Sequence, residues 1–569
     1  MTTRLFSFLL LILLASCQDM RTQTTDAIVH PEARHPFSWQ NATVYFLLTD
    51  RFHNGNPAND AALQRTKPTP PLRGFAGGDI AGITQKLREG YFDSLGITAI
   101  WMTPLVEQIQ GAVDEGQGAT YGYHGYWARD WTRLDPAFGT EAELQEMVAT
   151  AHQQRIRVLF DVVLNHTGPV TEQDPAWPES WVRQSPPCTY TGYETTTACT
   201  LVKNLPDIRT ERNEAVDLPP QLLQKWEAEG RLQQETESLN AFFASSGYPR
   251  APRYYLLKWL VDLVHKYGVD GFRVDTAKHT EPEIWGELQK EAQKAFAEWK
   301  ARNPGQVLDD ADFFLVGEVY GFGAGGERAY DFGDRKIDYY QHGFHSLINF
   351  AFKWDAGREQ PARQSELETA RSYEQLFAKY DALLREGSLA GVGVLNYLSS
   401  HDDGDPFDRD RTRGWESAIK LLLSPGAAQV YYGDETNRPL AIAGAEGDAN
   451  LRSFMNWQAL EQDAAVQENF RHWSRLGQFR RRHLAVGAGL HQQLREQPYL
   501  FSRTYAAGGV QDQVLVALQL PQGPKTVPVH GVFAEGERVR DAYSGADARV
   551  EAGSLSFDTP YPLLLLERW

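Results

Sequence analysis

The stretch Arg157-Val-Leu-Phe-Asp161-Val-Val-Leu-Asn165-His166 is a short apolar run that ends in polar, chemically competent side chains. Gly271-Phe-Arg273-Val-Asp275-Thr-Ala-Lys278-His279 follows the same plan. Outward from these two, comparable runs occupy residues 44–49, 98–102, 313–319, 347–350, 394–398 and 428–432; with 157–163 and 271–275 they make eight. Continuous apolar runs suit strands buried on both faces. Helical signals lie between them. Thr140 and Glu143 form a capping-box pattern before Leu144, Met147, Val148 and Ala151. Leu257, Leu260, Val261 and Val264 repeat the helical face, and Gly268 provides a stop. Strand alternating with helix implies a parallel sheet, and eight units imply an α/β fold closed as a (β/α)8 TIM barrel. Two departures follow. A Pro/Thr/Glu-rich domain over about 168–250 is inserted after the third strand. From 489 to 569 short runs with turn signals predict a C-terminal all-β sandwich domain.

Composition narrows the function classes. The chain has 569 residues, with 56 Lys+Arg against 74 Asp+Glu, a net charge of −18. No nucleic-acid partner is expected, because phosphate binding rests on an excess of basic groups. The 15 Trp, 24 Tyr and 28 Phe supply flat surfaces for stacking.

In (β/α)8 barrels the reactive groups collect at the C-terminal ends of strands. Here four such ends carry acids: Asp161, Asp275 in Gly271–Lys278, Glu318 in Gly317-Glu318-Val-Tyr, and Asp402 in Ser399-Ser400-His401-Asp402-Asp403. Clustered carboxylates are what glycosidic cleavage needs, one as nucleophile and one as general acid. These segments resemble the four signature regions of the α-amylase family of glycoside hydrolases, in the family's chain order. Leu205-Pro-Asp207-Ile resembles its fifth region. Tyr123-His124-Gly-Tyr126-Trp127, Gly77-Gly-Asp79 and Leu451-Arg-Ser-Phe-Met-Asn-Trp457 are further stretches typical of the family. The resemblance runs from about residue 40 to 569.

It implies a retaining mechanism with Asp275 as nucleophile, Glu318 as acid/base and Asp402 as the third acid that grips the sugar. Arg273 would keep Asp275 ionised, and burial among carboxylates would hold the Glu318 proton. His124, His166 and His401 match sugar-binding histidines, and Tyr126 matches the aromatic platform under that sugar. Asp161 matches a structural acid. Lys278 and His279 match contacts on the leaving-group side. The resemblance further implies calcium held by Asn165, Asp207 and the His279 carbonyl, a suitable all-oxygen set. A second calcium loop is suggested by Asn54, Asn56, Asn59, Asp60, Gly77 and Asp79, similar to that of cyclodextrin glucanotransferases. Asn54 stands where those enzymes often have Asp, which lowers the loop's charge.

At the N-terminus Arg4 precedes an apolar run from Leu5 to Ala15, shorter than the ~20 residues of a bilayer span. This is the layout of a secretory signal peptide. Leu14-Ala15-Ser16-Cys17 resembles the lipobox of bacterial lipoproteins, so residues 1–17 are expected to be a lipoprotein-type leader with Cys17 lipidated. Residues 18–40 read as a tether and 41–488 as the catalytic barrel. The protein is thus expected to be exported, to the periplasm or an outer surface, and to be a monomer anchored only through lipid. In an oxidising compartment Cys188 and Cys199 are placed for a disulfide.

The expected activity is that of an α-amylase: endo-hydrolysis of α-1,4 bonds in starch and maltodextrins. The stretch before the first strand is too short for the extra N-terminal domain of neopullulanases. No starch-binding domains are expected after the β-domain. Lys203 stands where cyclodextrin glucanotransferases carry an aromatic. The alternatives are α-glucan transfer or a cyclomaltodextrinase-like activity at the same site, and a non-catalytic glucan-binding protein.

Overall fold

The structure is a computed structural model that describes residues 35–360 and 365–569. The leader, Cys17 and positions 18–34 of the tether lie outside the described residues. All eight apolar runs become strands of one closed barrel. They are β1 (Thr43–Leu47), β2 (Ala99–Met102), β3 (Arg157–Val162), β4 (Gly271–Val274), β5 (Phe314–Gly317), β6 (Ser346–Asn349), β7 (Gly393–Tyr397) and β8 (Ala427–Tyr431). Each pairs in parallel with its chain neighbours, and β8 closes on β1 through Thr43↔Ala428. The β3–β4 register sets Arg273 opposite Asp161. That pairing puts a guanidinium beside a carboxylate inside the barrel mouth.

The helices start and stop for local reasons. Thr140 accepts from the Glu143 amide at 3.2 Å, and Glu143 accepts from the Thr140 amide at 2.7 Å. This capping box starts Glu141–Gln153, whose buried face includes Leu144, Met147, Val148 and Ala151. Helix Pro252–Tyr267 begins on a proline, whose missing N–H costs nothing there, and ends at Gly268 with φ +66.

Between β3 and β4 the chain leaves the barrel. It forms a small strand pair, Val182–Arg183 with Asp207–Ile208, a helical turn Glu194–Thr197, and helices Pro220–Ala228 and Leu232–Ser246. Cys188 and Cys199 are joined by a disulfide within this insertion. After β5 a hairpin, Tyr330–Asp331 with Lys336–Ile337, rises on the same rim.

The C-terminal domain is all β. A six-stranded sheet faces the pair Gly523–Pro528 and Ser554–Thr559. Leu500, Leu515 and Leu566 from the large sheet pack with Val527, Leu555 and Phe557 from the pair in a core of their own. A histidine clamp joins this domain to the barrel. His483 Nδ1 lies 2.8 Å from Asp512 Oδ1, and its Nε2 lies 2.7 Å from Glu567 Oε2. At the N-terminal end of the barrel strands, the Trp39 ring stacks on Phe314 with centroids 3.8 Å apart. The Arg157 guanidinium sits 3.3 Å over Phe37.

Candidate active site

Arg273 organises the acids. Its Nη1 donates to Asp161 Oδ1 at 2.9 Å and to Asp275 Oδ1 at 2.8 Å, and its Nη2 lies 2.9 Å from Glu318 Oε1. The side chain is 1% exposed. Backbone ladders fix the approach: the Asp275 amide donates to Val162 O and the Glu318 amide to Val274 O. Asp275 and Glu318 are therefore held by two adjacent nitrogens of one planar group, on the same rim of the barrel. The Thr276 amide adds a bond to Glu318 Oε2 at 2.9 Å, from a residue whose φ of +48 turns the chain sharply after Asp275.

The electrostatics separate the two acids. For Asp275, burial favours the neutral form, but Arg273 and then His166 outweigh it and hold the carboxyl below its ordinary value. For Glu318, burial dominates, Arg273 only partly opposes it, and Asp275 and Asp402 push further, so the carboxyl lies well above its ordinary value. Opposite shifts on two neighbouring carboxyls, one down and one up, are the division of labour between nucleophile and general acid.

Asp161 is fully engaged. It accepts from Tyr126 OH at 2.7 Å and Trp101 Nε1 at 3.0 Å as well as from Arg273. Burial raises it to about 6. Of the consecutive acids after β7, Asp403 is bound by Lys353 and by Tyr397 OH. Asp402 accepts no hydrogen bond among the described residues, its side chain is 36% exposed, and His401 Nε2 is 3.8 Å away. The geometry thus leaves Asp402, not Asp403, open to a ligand.

His124, His166 and His401 all sit buried around Tyr126. His124 Nδ1 accepts from the Tyr126 amide at 3.1 Å, which puts the ring proton on Nε2. His166 donates from Nε2 to Tyr126 O at 3.1 Å. The His401 ring stacks on Tyr126 at 5.1 Å. Burial lowers all three histidines, so they are neutral hydrogen-bonding groups. Lys278 Nζ donates to Tyr320 O at 2.8 Å and Tyr330 OH at 3.1 Å. The His279 ring turns toward the insertion and donates from Nδ1 to Thr196 O at 2.9 Å.

Three contributors were not identified as such in the sequence. Trp101 and the Thr276 amide lack any motif of their own. Arg452 lies in the quoted stretch 451–457; its Nε donates to His401 O at 3.0 Å and holds the β7 end in place.

For a metal, the residues expected for the first calcium do converge. One terminal atom of the Asn165 amide lies 2.9 Å from the His279 carbonyl oxygen and 3.3 Å from Asp207 Oδ1. With the amide oxygen there, three oxygens face one another with no proton between them, an arrangement that fits a hard cation with oxygen ligands. Burial, partly opposed by Arg183, raises Asp207 to about 8, and a cation would favour its charged form. The second group also comes together. Asn54 Nδ2 donates to Asp60 at 2.9 Å, and a Cβ on Gly77 would strike both side chains. Asp79, however, is the N-cap of Ile80–Arg88 and accepts from the amides of Gly82, Gly55 and Asn56 and from Asn59 Nδ2. The buried Asn54 Oδ1 and Asn59 Oδ1 lack donors, so the oxygens open to a cation there are those two and Asp60. This second set fits a cation less well, with Asp60 as its one uncommitted charge.

A buried carboxylate pair clasped by one arginine, at the mouth of a (β/α)8 barrel, defines a glycoside hydrolase. The family profile described as alpha amylase, catalytic domain, matches residues 46–486. The chain is 37% identical over 543 aligned residues to the periplasmic α-amylase of Escherichia coli K12, covering 84% of this chain and 72% of that one. A cyclomaltodextrin glucanotransferase of Niallia circulans is 41% identical over 140 residues, 24% of this chain and 19% of that one. An Anoxybacillus α-amylase structure superposes with a TM-score of 0.62 at 22% identity, covering 94% of this chain and 99% of that one. The protein belongs to the α-amylase family.

Proposed function

We propose that the protein is a retaining endo-α-amylase acting on α-1,4 bonds of starch and maltodextrins. The observation that carries this is the Arg273 grip on both acids at the barrel rim, which holds Asp275 low while burial and the neighbouring carboxylates push Glu318 up. Asp275 attacks the anomeric carbon while Glu318 protonates the departing oxygen. A β-linked glycosyl-enzyme forms. Glu318, now a base, takes a proton from water, and the water releases the sugar with its α configuration restored. Asp402 binds ring hydroxyls and favours the flattened, oxocarbenium-like ring. His124, His166 and His401 hydrogen-bond the sugar over Tyr126, and Lys278 and His279 contact the leaving group. The test is soluble starch with reducing ends and anomeric configuration followed by NMR. β-Anomeric products, or none, would refute it.

A second reading, α-glucan transfer, is favoured by one observation. The transferase CldA, described as the first cyclomaltodextrin glucanotransferase with a three-domain ABC distribution, superposes with a TM-score of 0.60 at 20% identity. A single β-domain after the barrel therefore does not separate the two activities. Long products from maltotetraose would favour transfer.

Asn165, Asp207 and His279 would hold a calcium that supplies structural charge, tying the insertion to the rim near Lys278. Asn54, Asn59 and Asp60 would hold a second ion more weakly. We also propose export, supported by the periplasmic relative and the leader sequence, with lipid attachment at Cys17, residues 18–40 as tether, and a monomeric state. A globomycin-sensitive mobility shift on gels, lost in Cys17→Ser, tests the anchor.

A further inference from the structure

The disulfide loop from Cys188 to Cys199 touches the site where a spectator loop would not. Its Thr196 carbonyl accepts from His279 Nδ1 at 2.9 Å. The helical turn Glu194–Thr197 lies against the 3-10 turn Ala277–His279. Tyr190, at the other end of the loop, is 53% exposed, and its ring centroid lies 6.0 Å from the His279 ring and 6.0 Å from Lys278 Nζ. The far side is anchored too. The Tyr193 amide donates to Asp334 Oδ1 at 2.8 Å, and the Tyr193 ring meets Phe332 edge-on at 5.2 Å. Asp334 and Phe332 belong to the hairpin that also supplies Tyr330 to Lys278. The loop is therefore wedged between the turn carrying Lys278 and His279 and the hairpin that holds Lys278.

The carboxylates are independent of this wedge. Asp275, Glu318 and Asp161 are fixed by Arg273 and the barrel ladders, and no atom of residues 188–199 contributes to those bonds.

The His279 hydrogen bond also sets chemistry. A carbonyl can only accept, so the proton sits on Nδ1.

We infer that the Cys188–Cys199 loop is a positioning element for the leaving-group side of the cleft, fixing the His279 ring through its Nδ1–H bond and holding the Lys278 wall in place. The inference rests on the α-amylase reading above. Cleavage of a long chain depends on the loop, because the leaving sugars lie against that wall. Cleavage of an activated aryl bond does not, because a nitrophenolate leaves without those contacts.

The experiment compares wild type with the Cys188→Ser/Cys199→Ser double variant at saturating calcium. The substrates are maltoheptaose and a 4-nitrophenyl maltooligosaccharide cleaved at its aryl bond. The expected result is about a tenfold loss of kcat/KM on maltoheptaose, mostly in KM, with aryl cleavage within twofold of wild type. In 15N NMR the His279 Nδ1–H should lose its hydrogen-bonded signature. Should the double variant not fold, Asp334→Ala, which removes the anchor on the far side, gives the same comparison. Equal losses on both substrates, or no loss on either, would overturn the inference. A wild type inactive on both substrates would instead sink the α-amylase reading.

Discussion

Replacing Arg273 with lysine tests the electrostatic centre of the site. The guanidinium now holds three acids, Asp161 and Asp275 through Nη1 and Glu318 through Nη2, at 2.8–3.1 Å. An ammonium keeps the charge but has one nitrogen and no planar fork. It can stay near Asp161 and Asp275, which share Nη1, and loses the separate contact to Glu318. A hydrogen bond to a charged group is worth ~1.5–3 kcal/mol, so kcat/KM should fall by about 10- to 150-fold at ~1.4 kcal/mol per decade. The pH profile is the sharper readout. The acid limb reports ionisation of the nucleophile and the alkaline limb deprotonation of the acid. Arg273 lowers Asp275 and partly lowers Glu318. Weakening it raises both, and since the pair titrates together, both limbs should move to higher pH. The assay is kcat/KM on a nitrophenyl maltooligosaccharide from pH 4 to 9, with the thermal midpoint measured alongside. Activity within twofold of wild type, or limbs that stay or move to lower pH, would refute the reasoning.

Asp275→Asn should lose on the order of 10⁴ or more in kcat while still binding maltooligosaccharides, checked by single-turnover assay and calorimetry. Chelation should lower the thermal midpoint, and calcium at ~100 times its Kd should restore about 2.7 kcal/mol; in Asn165→Ala most of that calcium response should be lost. The His483 clamp predicts a bounded pH window for docking of the C-terminal domain. Burial alone would lower His483, but Asp512 and Glu567 outweigh it and raise the ring. Its contribution is thus complete below the unfolded value and lost as pH climbs through the folded one. Asp512 and Glu567 are held low by His483 against burial, helped by His35 at Asp512 and Arg482 at Glu567, so the acid side is lost only as pH falls through their folded values. His483→Gln should cost roughly 3 kcal/mol and flatten the alkaline limb of midpoint against pH, measured by calorimetry.

The barrel was legible because its signals are local. Each strand is an apolar run, and the four acids sit at the strand ends: Asp161 next to last in its strand, Asp275 and Glu318 directly after theirs, and Asp402 in the loop that follows β7. Arg273 was legible as a neighbour of Asp275 through strand alternation, but its hold on Asp161 and Glu318 depends on the register of three strands distant in sequence. In the C-terminal domain the strands Tyr499–Ala507, Val510–Leu518 and Leu563–Arg568 carry buried apolar runs and are readable. Leu490–Arg495 and Asp547–Arg549 are the two edges of the large sheet, polar and mostly exposed, and give no alternation to read. The insertion's helices were hidden by a Pro- and Glu-rich composition that resembles a loop. Their core comes from a few aromatics such as Trp226 and Phe243 that pack only in three dimensions. Asp79 read as a ligand because it stands in a loop of Asn and Gly, and only the backbone path shows it capping a helix.

Trp39 stacked on Phe314 sets a direction as well as a contact. Phe314 opens β5, and Glu318 follows that strand's other end, so the chain enters at the floor and the carboxylates work at the roof. The first described residues thus lie on the face opposite the cleft, and a glucan laid across the upper rim meets none of them.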